Sequence, residues 1–222
     1  MDLLIDVGNT NIKWTCHAQD RLEPSRRCPH RGELPAELSR TWQKLPRPGA
    51  VRVANVAGPD MEASLRLWTG SSWGCEPHFV MSEAQAFGVT NGYFQPGQLG
   101  VDRWLALLAV HTRSARSALI IDCGTAVTLD AIAASGKHLG GLIVPGLKLM
   151  RQSLLAGTRI PSHDPEQDSP WLAHSTGAGI TAGPLQALLA LIARLQHLLK
   201  SRTNAEPELV VTGGDAEEII PH

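Results

Sequence analysis

Apolar runs of strand length recur along the chain, and two of them lead into closely similar turns. Residues 3–7 run into a Gly-Asn-Thr turn at 8–10, after which an extended pattern resumes. Residues 118–122 run into a Gly-Thr turn at 124–125, again followed by strand-like sequence. Each arrangement predicts a β-hairpin. The two turns begin 116 residues apart, counted from position 6 to position 122, which suggests two related halves.

The rest of the pattern alternates helices with strands. Helices are predicted over residues 33–45, 59–70, 102–116 and 181–200, with another starting at 147, and strands over 50–56, 140–144 and 209–212. Residues 75–98 are irregular, 164–170 predict a surface loop, and a last helix starts at 215. The leucines of 181–200 form one broad stripe, which is typical of a core helix rather than a membrane span. This alternation predicts an α/β fold.

Composition narrows the classes of partner and compartment. The 222 residues suffice for one large domain or two small ones, and a formal net charge of −1 gives no basic field to gather nucleic acid or anionic membrane. The widely spaced cysteines form no C-x-x-C pair, which argues against a zinc ribbon and favours a reducing cytosol. Asp2 and Asp6 interrupt the first apolar run, so it is no signal peptide, and no run approaches a membrane span. We therefore expect a cytoplasmic protein.

The first turn has the residue types that bind phosphate. Gly8 allows close approach of a ligand, and the N–H groups of Gly8, Asn9 and Thr10 can point at a phosphate. Asp6 can hold a hydrated Mg²⁺ ion, and Lys13 adds positive charge nearby. Taken alone, the same residues fit a surface hairpin whose turn merely satisfies backbone geometry.

The second turn repeats this pattern, because Asp122 precedes Gly124 and Thr125 in the same order. Two such turns facing each other could clamp a triphosphate. Gly213 and Gly214 follow a strand and permit close approach of a flat base, although by themselves they are explained more readily by a simple strand-to-helix connection. Together these elements resemble the nucleotide clamp of the acetate and sugar kinase, Hsp70 and actin superfamily. The resemblance implies two ribonuclease H-like lobes, 1–115 and 116–222, with ATP in the cleft between them.

A further motif, Gly100-Val101-Asp102-Arg103, starts a predicted helix. A carboxylate beside a guanidinium can accept a hydroxyl proton while the arginine grips an anionic group in bidentate fashion. The alternative is structural: the aspartate complements the helix dipole and the arginine is solvated.

In order and spacing, the motifs resemble those of the type III pantothenate kinase family over nearly the whole chain. The matching segments are 6–10 with Lys13, Tyr93 before 99–104, 122–126 with Thr128 and Asp130, 140–146, and 212–215. The resemblance implies transfer of the ATP γ-phosphoryl group to the primary hydroxyl of pantothenate, the first committed step toward coenzyme A.

The resemblance also implies residue roles. ATP would be bound by Asp6, Val7, Gly8, Asn9, Thr10, Asn11, Ile12, Lys13 and Thr125. Pantothenate would be bound by Tyr93, Gly100, Val101, Asp102, Arg103 and Thr176, with Asp102 as the catalytic proton acceptor. Asp122 matches a position that binds K⁺ or NH₄⁺, and Asp6 would hold Mg²⁺ through water. Family members are homodimers in which the partner subunit closes the pantothenate pocket.

Two other functions stay open at this point. A ribonuclease H-type nuclease would also place Asp6 and Asp122 at strand ends. It would, however, need a basic groove to bind nucleic acid, and its chemistry does not require the glycine turns. A non-catalytic ATP-binding regulatory member of the superfamily would keep the clamp, although it would not need Asp102 or Lys13. The last predicted helix has barely begun at His222, so either the protein is short or a further segment is missing.

Overall fold

The computed structural model describes residues 1–160 and 171–222. The predicted surface loop at 164–170 lies outside the described residues. The chain divides into two compact units, the first made of 1–84 and 95–105 and the second of 85–94 and 106–222. The predicted lobe boundary at residue 115 stays a prediction.

The first unit is built on a mixed sheet around the predicted N-terminal hairpin. Its strands are β1 (Asp2–Val7), β2 (Asn11–Ala18), β3 (Arg21–Leu22), β4 (Arg26–Pro29), β5 (Val51–Asn55) and β6 (His78–Phe79). Their order is β3-β2-β1-β5-β6, with β4 also pairing with β2. β1 and β2 are antiparallel, whereas β5 is parallel to β1, so the predicted hairpin is confirmed.

The first unit has two complete helices that pack on this sheet and the start of a third. They are α1 (Ala36–Trp42), α2 (Pro59–Trp73) and the start of α3 (Val101–Arg113). The prediction that α2 ends at Gly70 is wrong: the helix continues to Trp73, and Gly74 ends it in the left-handed conformation with φ +59°. The extra turn is stabilised because it brings Trp73 into the core. α1 is shorter than the predicted 33–45, because Pro35 takes the N-cap position and the helix begins after it.

The second unit repeats the same sheet plan. Its strands are β7 (Gln85–Ala86), β8 (Val89–Thr90), β9 (Ala118–Cys123), β10 (Ala126–Ile132), β11 (His138–Pro145) and β12 (Glu208–Thr212). The main sheet has the order β11-β10-β9-β12, in which β9 and β10 form the second predicted hairpin and β12 is parallel to β9. The arrangement β10-β9-β12 thus matches β2-β1-β5, as the predicted duplication requires.

Besides the rest of α3, the described part of the second unit contains two helices, α4 (Leu147–Gly157) and α5 (Thr176–Thr203). α4 starts at the predicted residue, whereas α5 starts five residues before the predicted 181, because Ser175 caps it by accepting the Ala178 N–H at 3.1 Å. The leucine stripe is confirmed as a core face, since Leu185, Leu188 and Leu199 are buried. In place of the helix predicted from 215, the structure has one short 3₁₀ turn, Ala216–Glu218.

One helix in the described part of the chain, α5, is long and apolar enough by length and composition to cross a membrane, with a mean hydropathy of 1.4 in its most apolar window. The core helix of a soluble protein meets the same criterion. Its contact with the β9–β10 core matches the core-helix prediction.

Candidate active site

The first turn is closed by its own glycine. The Gly8 N–H donates to the Asn11 carbonyl oxygen at 3.0 Å, which joins the end of β1 to the start of β2. Of the N–H groups expected to face a phosphate, that of Gly8 is therefore used inside the hairpin. A Cβ at Gly8 would meet only the Asn11 oxygen, at 3.5 Å, and Gly8 has no positive φ. Neither packing nor backbone strain within the first unit demands glycine here, so the open space fits close approach of a ligand.

The flanks of the first turn carry opposite charges. Asp6 and Lys13 are cross-strand partners, with Oδ2 3.8 Å from Nζ and about half of each side chain exposed at 46% and 49%. Val7 and Ile12 bury their side chains completely in the core. Of the residues predicted to bind ATP, these two can therefore offer only backbone atoms. Asn9 and Thr10 are exposed at the tip.

The second turn has the same construction with one residue fewer between its strands. The Gly124 N–H donates to the Ala126 carbonyl oxygen at 3.1 Å, and a Cβ at Gly124 would meet only that oxygen, at 3.5 Å. Thr125 is exposed. The start of α4 braces this turn, because the Gly146 N–H donates to the Thr125 carbonyl oxygen at 2.9 Å. A Cβ on Gly146 would lie only 2.2 Å from the Gly124 oxygen, so this packing requires glycine.

A row of oxygen-bearing side chains crosses the second sheet beside this turn. Asp122 on β9 is in register with Thr128 on β10 and Thr212 on β12. Directly paired residues share a face of the sheet, so these side chains lie next to one another. Burial first, and then the negative charges of Asp122 and Asp215, raise the pKa of the neighbouring Cys123 thiol to about 11. The row thus combines one carboxylate with two hydroxyl groups, of which Asp122 and Thr128 are half-buried and Thr212 is exposed.

Gly213 has a structural role that the sequence did not reveal. Its φ is +99°, and a Cβ there would lie 2.3 Å from the Cys123 carbonyl oxygen. Glycine is therefore needed for the end of β12 to pass close to β9. Gly214 has nothing within 4 Å of a built Cβ, so only this second glycine keeps the open space expected for a nucleotide base.

The Gly100–Arg103 motif forms the first turn of α3. The Arg103 N–H donates to Asp102 Oδ1 at 2.8 Å, and a Cβ at Gly100 would lie 2.6 Å from that oxygen. Gly100 thus lets the carboxylate fold back along the helix start. Arg103 is only 6% exposed, so its guanidinium is held within the protein and is not solvated as the structural alternative supposed. Trp104, 1% exposed, is a packing residue.

A cavity of about 570 Å³ lies beside this helix start in the first unit. Gly100 and Val101 line it together with Asn55 and Val56 from the end of β5. The Asn55 side chain is occupied locally, since it donates to the Gly58 carbonyl oxygen at 2.9 Å and accepts from the Ala57 N–H at 3.0 Å. The structure thus brings two of the predicted pantothenate-binding residues into one cavity wall.

Two of the six predicted pantothenate-binding residues, Tyr93 and Thr176, belong to the second unit. Tyr93 is half-buried, and its ring stacks on that of His138, with 5.9 Å between centroids and 12° between planes. Buried His138 and Asp130 are 2.9 Å apart from Nε2 to Oδ1. The sequence motif included Asp130 but gave no signal for His138. Thr176 is exposed as the first residue of α5.

Solved structures of similar fold define the class of protein. The fold resembles that of a protein from Campylobacter jejuni named as a Baf family transcriptional activator, with a TM-score of 0.62 and 19% identity over 98% of this chain and 85% of that one. A protein from Sinorhizobium meliloti named as a 2-dehydro-3-deoxygalactonokinase matches with a TM-score of 0.54 and 10% identity over 97% of this chain and 92% of that one. With the doubled sheet plan, these likenesses place the chain in the actin-like ATPase and sugar kinase fold class.

Within that class the sequence assigns the family. A family model described as type III pantothenate kinase matches residues 2–197. The type III pantothenate kinase of Nitrosococcus oceani is 38% identical over all of this chain and 86% of its own length. That of Alcanivorax borkumensis is 36% identical over 99% of this chain and 89% of its own. The chain belongs to the type III pantothenate kinase family, which confirms the resemblance found in its motifs.

Proposed function

We propose that this chain is an ATP-dependent pantothenate kinase, which transfers the γ-phosphoryl group of ATP to pantothenate and yields 4′-phosphopantothenate for coenzyme A biosynthesis. The family match over residues 2–197 carries this proposal. It disfavours the nuclease and the non-catalytic regulatory member, the two alternatives considered from sequence. The four cysteines are free thiols, which supports a cytoplasmic location.

Both turns bind the phosphate groups of ATP in this proposal. The open space above Gly8 and Gly124 admits phosphate oxygens close to the backbone, where the N–H groups of Asn9 and Thr10 and the hydroxyl of Thr125 can donate to them. Lys13 adds a positive charge at the mouth of the first turn. Phosphate binding of this kind uses the backbone, which explains how buried Val7 and Ile12 can belong to the same site.

Mg²⁺ fits the half-exposed carboxylate of Asp6. Protein-bound Mg²⁺ keeps several waters and uses one or two carboxylates together with substrate phosphates. Within residues 1–160 and 171–222 no cluster of three or more His, Cys, Asp or Glu side chains could hold a metal ion. When bound, the ion neutralises negative charge on the phosphates.

Asp102 orients the attacking hydroxyl of pantothenate. Its Oδ1 is held by the Arg103 N–H, and Oδ2 makes no hydrogen bond to the residues that the structure describes, so it can accept from a substrate hydroxyl. A carboxylate is too weak a base to deprotonate an alcohol beforehand. In a loose phosphoryl-transfer transition state the proton leaves late, so Asp102 accepts it as the new bond to phosphorus forms. Tyr93, Gly100, Val101, Arg103 and Thr176 bind the rest of pantothenate in this proposal.

Replacing Asp102 with asparagine tests the proposal. Asp102→Asn keeps the shape of the side chain but removes the proton acceptor, so kcat should fall about 100-fold or more while ATP affinity stays within about threefold. Pantothenate-dependent ADP release and ATP titration calorimetry measure the two quantities. Asp60→Asn, which alters an exposed acid in the first turn of α2, is the matched control and should be neutral. Near-normal turnover by Asp102→Asn would contradict the role.

A monovalent cation, K⁺ or NH₄⁺, binds at Asp122 in this proposal. Thr128 and Thr212 flank Asp122 on the same face, so three oxygen-bearing side chains adjoin one another. The corresponding row of the first unit contains Lys13, Asp6 and Ala54. There the lysine supplies a positive charge of its own, whereas the second unit has only oxygens.

Thr128→Val removes one of these oxygens at nearly constant volume. We expect the K⁺ concentration for half-maximal activity to rise about tenfold, because one lost ligand weakens the site. Thr112→Val, an exposed threonine of α3, should leave it unchanged. K⁺ titrations of ADP release, with Na⁺ holding ionic strength constant, give these values. Activity that is independent of both K⁺ and NH₄⁺ in the wild type would refute the cation site.

A homodimer forms through the edge of the second sheet in this proposal. β11 is an edge strand of that sheet, and it exposes Leu142 at 44% and Ile143 at 62%. Leu149 and Leu154 on the adjoining α4 are each 41% exposed. Apolar side chains on an open strand edge favour association, and a symmetric dimer would cover the same patch on both copies.

Ile143→Asp should convert the dimer to a monomer, because it would bury two unpaired carboxylates in the symmetric interface. Leu67→Asp, which alters a 76% exposed leucine on α2 of the first unit, should leave the dimer intact. Sedimentation velocity at micromolar protein distinguishes the two species. A wild-type protein that sediments only as a monomer would contradict the dimer.

A further inference from the structure

His30 lies beside the first turn although neither the motifs nor the family match gives it a role. It follows β4, the strand that pairs with β2, and only 8% of it is exposed. Its backbone N–H donates to the Thr10 carbonyl oxygen at 2.9 Å. Its ring Nε2 lies 2.6 Å from the Gly8 carbonyl oxygen. His30 thus forms hydrogen bonds to the carbonyl oxygens at both ends of the turn.

The hydrogen bonds of the ring define its protonation. A carbonyl oxygen can only accept, so Nε2 carries the proton that is donated to Gly8. The Gly32 N–H can only donate, and it points at Nδ1 from 3.1 Å, so Nδ1 carries none. Both bonds exist together only in the neutral Nε2–H tautomer. Gly32 reaches this position in a left-handed conformation, with φ +93°.

Fixing the Gly8 carbonyl also fixes the next N–H group. In a planar trans peptide the C=O of one residue and the N–H of the next point in opposite directions. With its oxygen turned toward His30, the Gly8–Asn9 peptide directs the Asn9 N–H away from the histidine. The orientation of the Asn9 N–H, a candidate phosphate donor, is therefore set by the side chain of His30, which lies outside the hairpin.

We propose that His30 is a positioning residue for nucleotide binding, which holds the first turn in the shape that presents its N–H groups to the phosphates of ATP. This inference rests on the proposed function of that turn. The second turn has a comparable support, since the Gly146 N–H holds the Thr125 carbonyl oxygen. Each turn is thus held by hydrogen bonds from outside its own hairpin, the first by the backbone and ring of His30 and the second by the backbone of Gly146.

Substituting His30 with glutamine or asparagine distinguishes the two hydrogen bonds of its ring, the one to Gly8 and the one to Gly32. The Gln amide nitrogen of His30→Gln can take the place of Nε2–H and donate to Gly8. The Asn oxygen of His30→Asn takes the place of Nδ1, so it accepts from Gly32 but does not reach Gly8. If the Gly8 bond positions the turn, His30→Asn should weaken Mg-ATP binding about tenfold, whereas His30→Gln should stay within about threefold of the wild type.

Titration calorimetry with Mg-ATP measures these affinities without turnover, and steady-state kinetics give the KM for each substrate. The KM for ATP should rise in His30→Asn while that for pantothenate stays constant, a difference that general loss of structure would not produce. His17→Asn on β2 is the control for a histidine away from the turn. Thermal melts check that the Asn and Gln variants are equally folded.

Equal affinities in His30→Asn and His30→Gln, or parallel rises in both KM values, would overturn the role of His30. The proposed function fails by a different result: a wild-type protein that binds Mg-ATP but releases no ADP with pantothenate. A wild-type protein that does not bind Mg-ATP would overturn both.

Discussion

The hydrogen bond that closes each hairpin determines the geometry of both candidate phosphate sites. In each unit the turn glycine donates its N–H to the returning strand, Gly8 to Asn11 and Gly124 to Ala126. In both sequences a carboxylate, Asp6 or Asp122, stands two residues before the glycine, and the strand pairing places it opposite Lys13 or Thr128. Because neither glycine is demanded by packing or by a positive φ, the fold leaves space where a side chain would otherwise project. That space is what a phosphate group needs to approach the backbone.

The two units share one arrangement of strands but differ in the residue that lies opposite the carboxylate. Both pair a hairpin with a parallel strand beside its first strand, β5 in one and β12 in the other. On the returning strand, the residue opposite the carboxylate is Lys13 in the first hairpin and Thr128 in the second. In the proposed function, the lysine neutralises phosphate directly, whereas the threonine offers an oxygen to a small cation beside Asp122. Burial chiefly raises the pKa of Cys123, and the negative charges of Asp122 and Asp215 add to that rise.

Local sequence patterns predicted most helices and strands well. The features that they missed depend on contacts between residues that are distant in sequence. Alternating apolar residues and glycine turns were enough for both hairpins and for the leucine stripe of α5. The end of α2 was misplaced at Gly70, because the left-handed conformation that ends it occurs at Gly74, where Trp73 can still pack in the core. The role of Gly213 was not predictable either, since it depends on the backbone of Cys123, which is remote in sequence. His30 was overlooked for the same reason, as only the pairing of β4 with β2 brings it to the turn.

The central claim is that the open space at the two turn glycines admits the phosphates of ATP. Measuring Mg-ATP affinity after that space is filled by a methyl group tests it most directly. Gly8→Ala and Gly124→Ala each add a methyl group that meets only one backbone oxygen, so both proteins should keep the wild-type melting temperature. The account predicts that calorimetric affinity falls about tenfold or more in each, since the methyl occupies the path of a phosphate oxygen. Gly70→Ala, in the last turn of α2, is the control that should bind normally. Wild-type affinity in folded Gly8→Ala and Gly124→Ala would contradict the account.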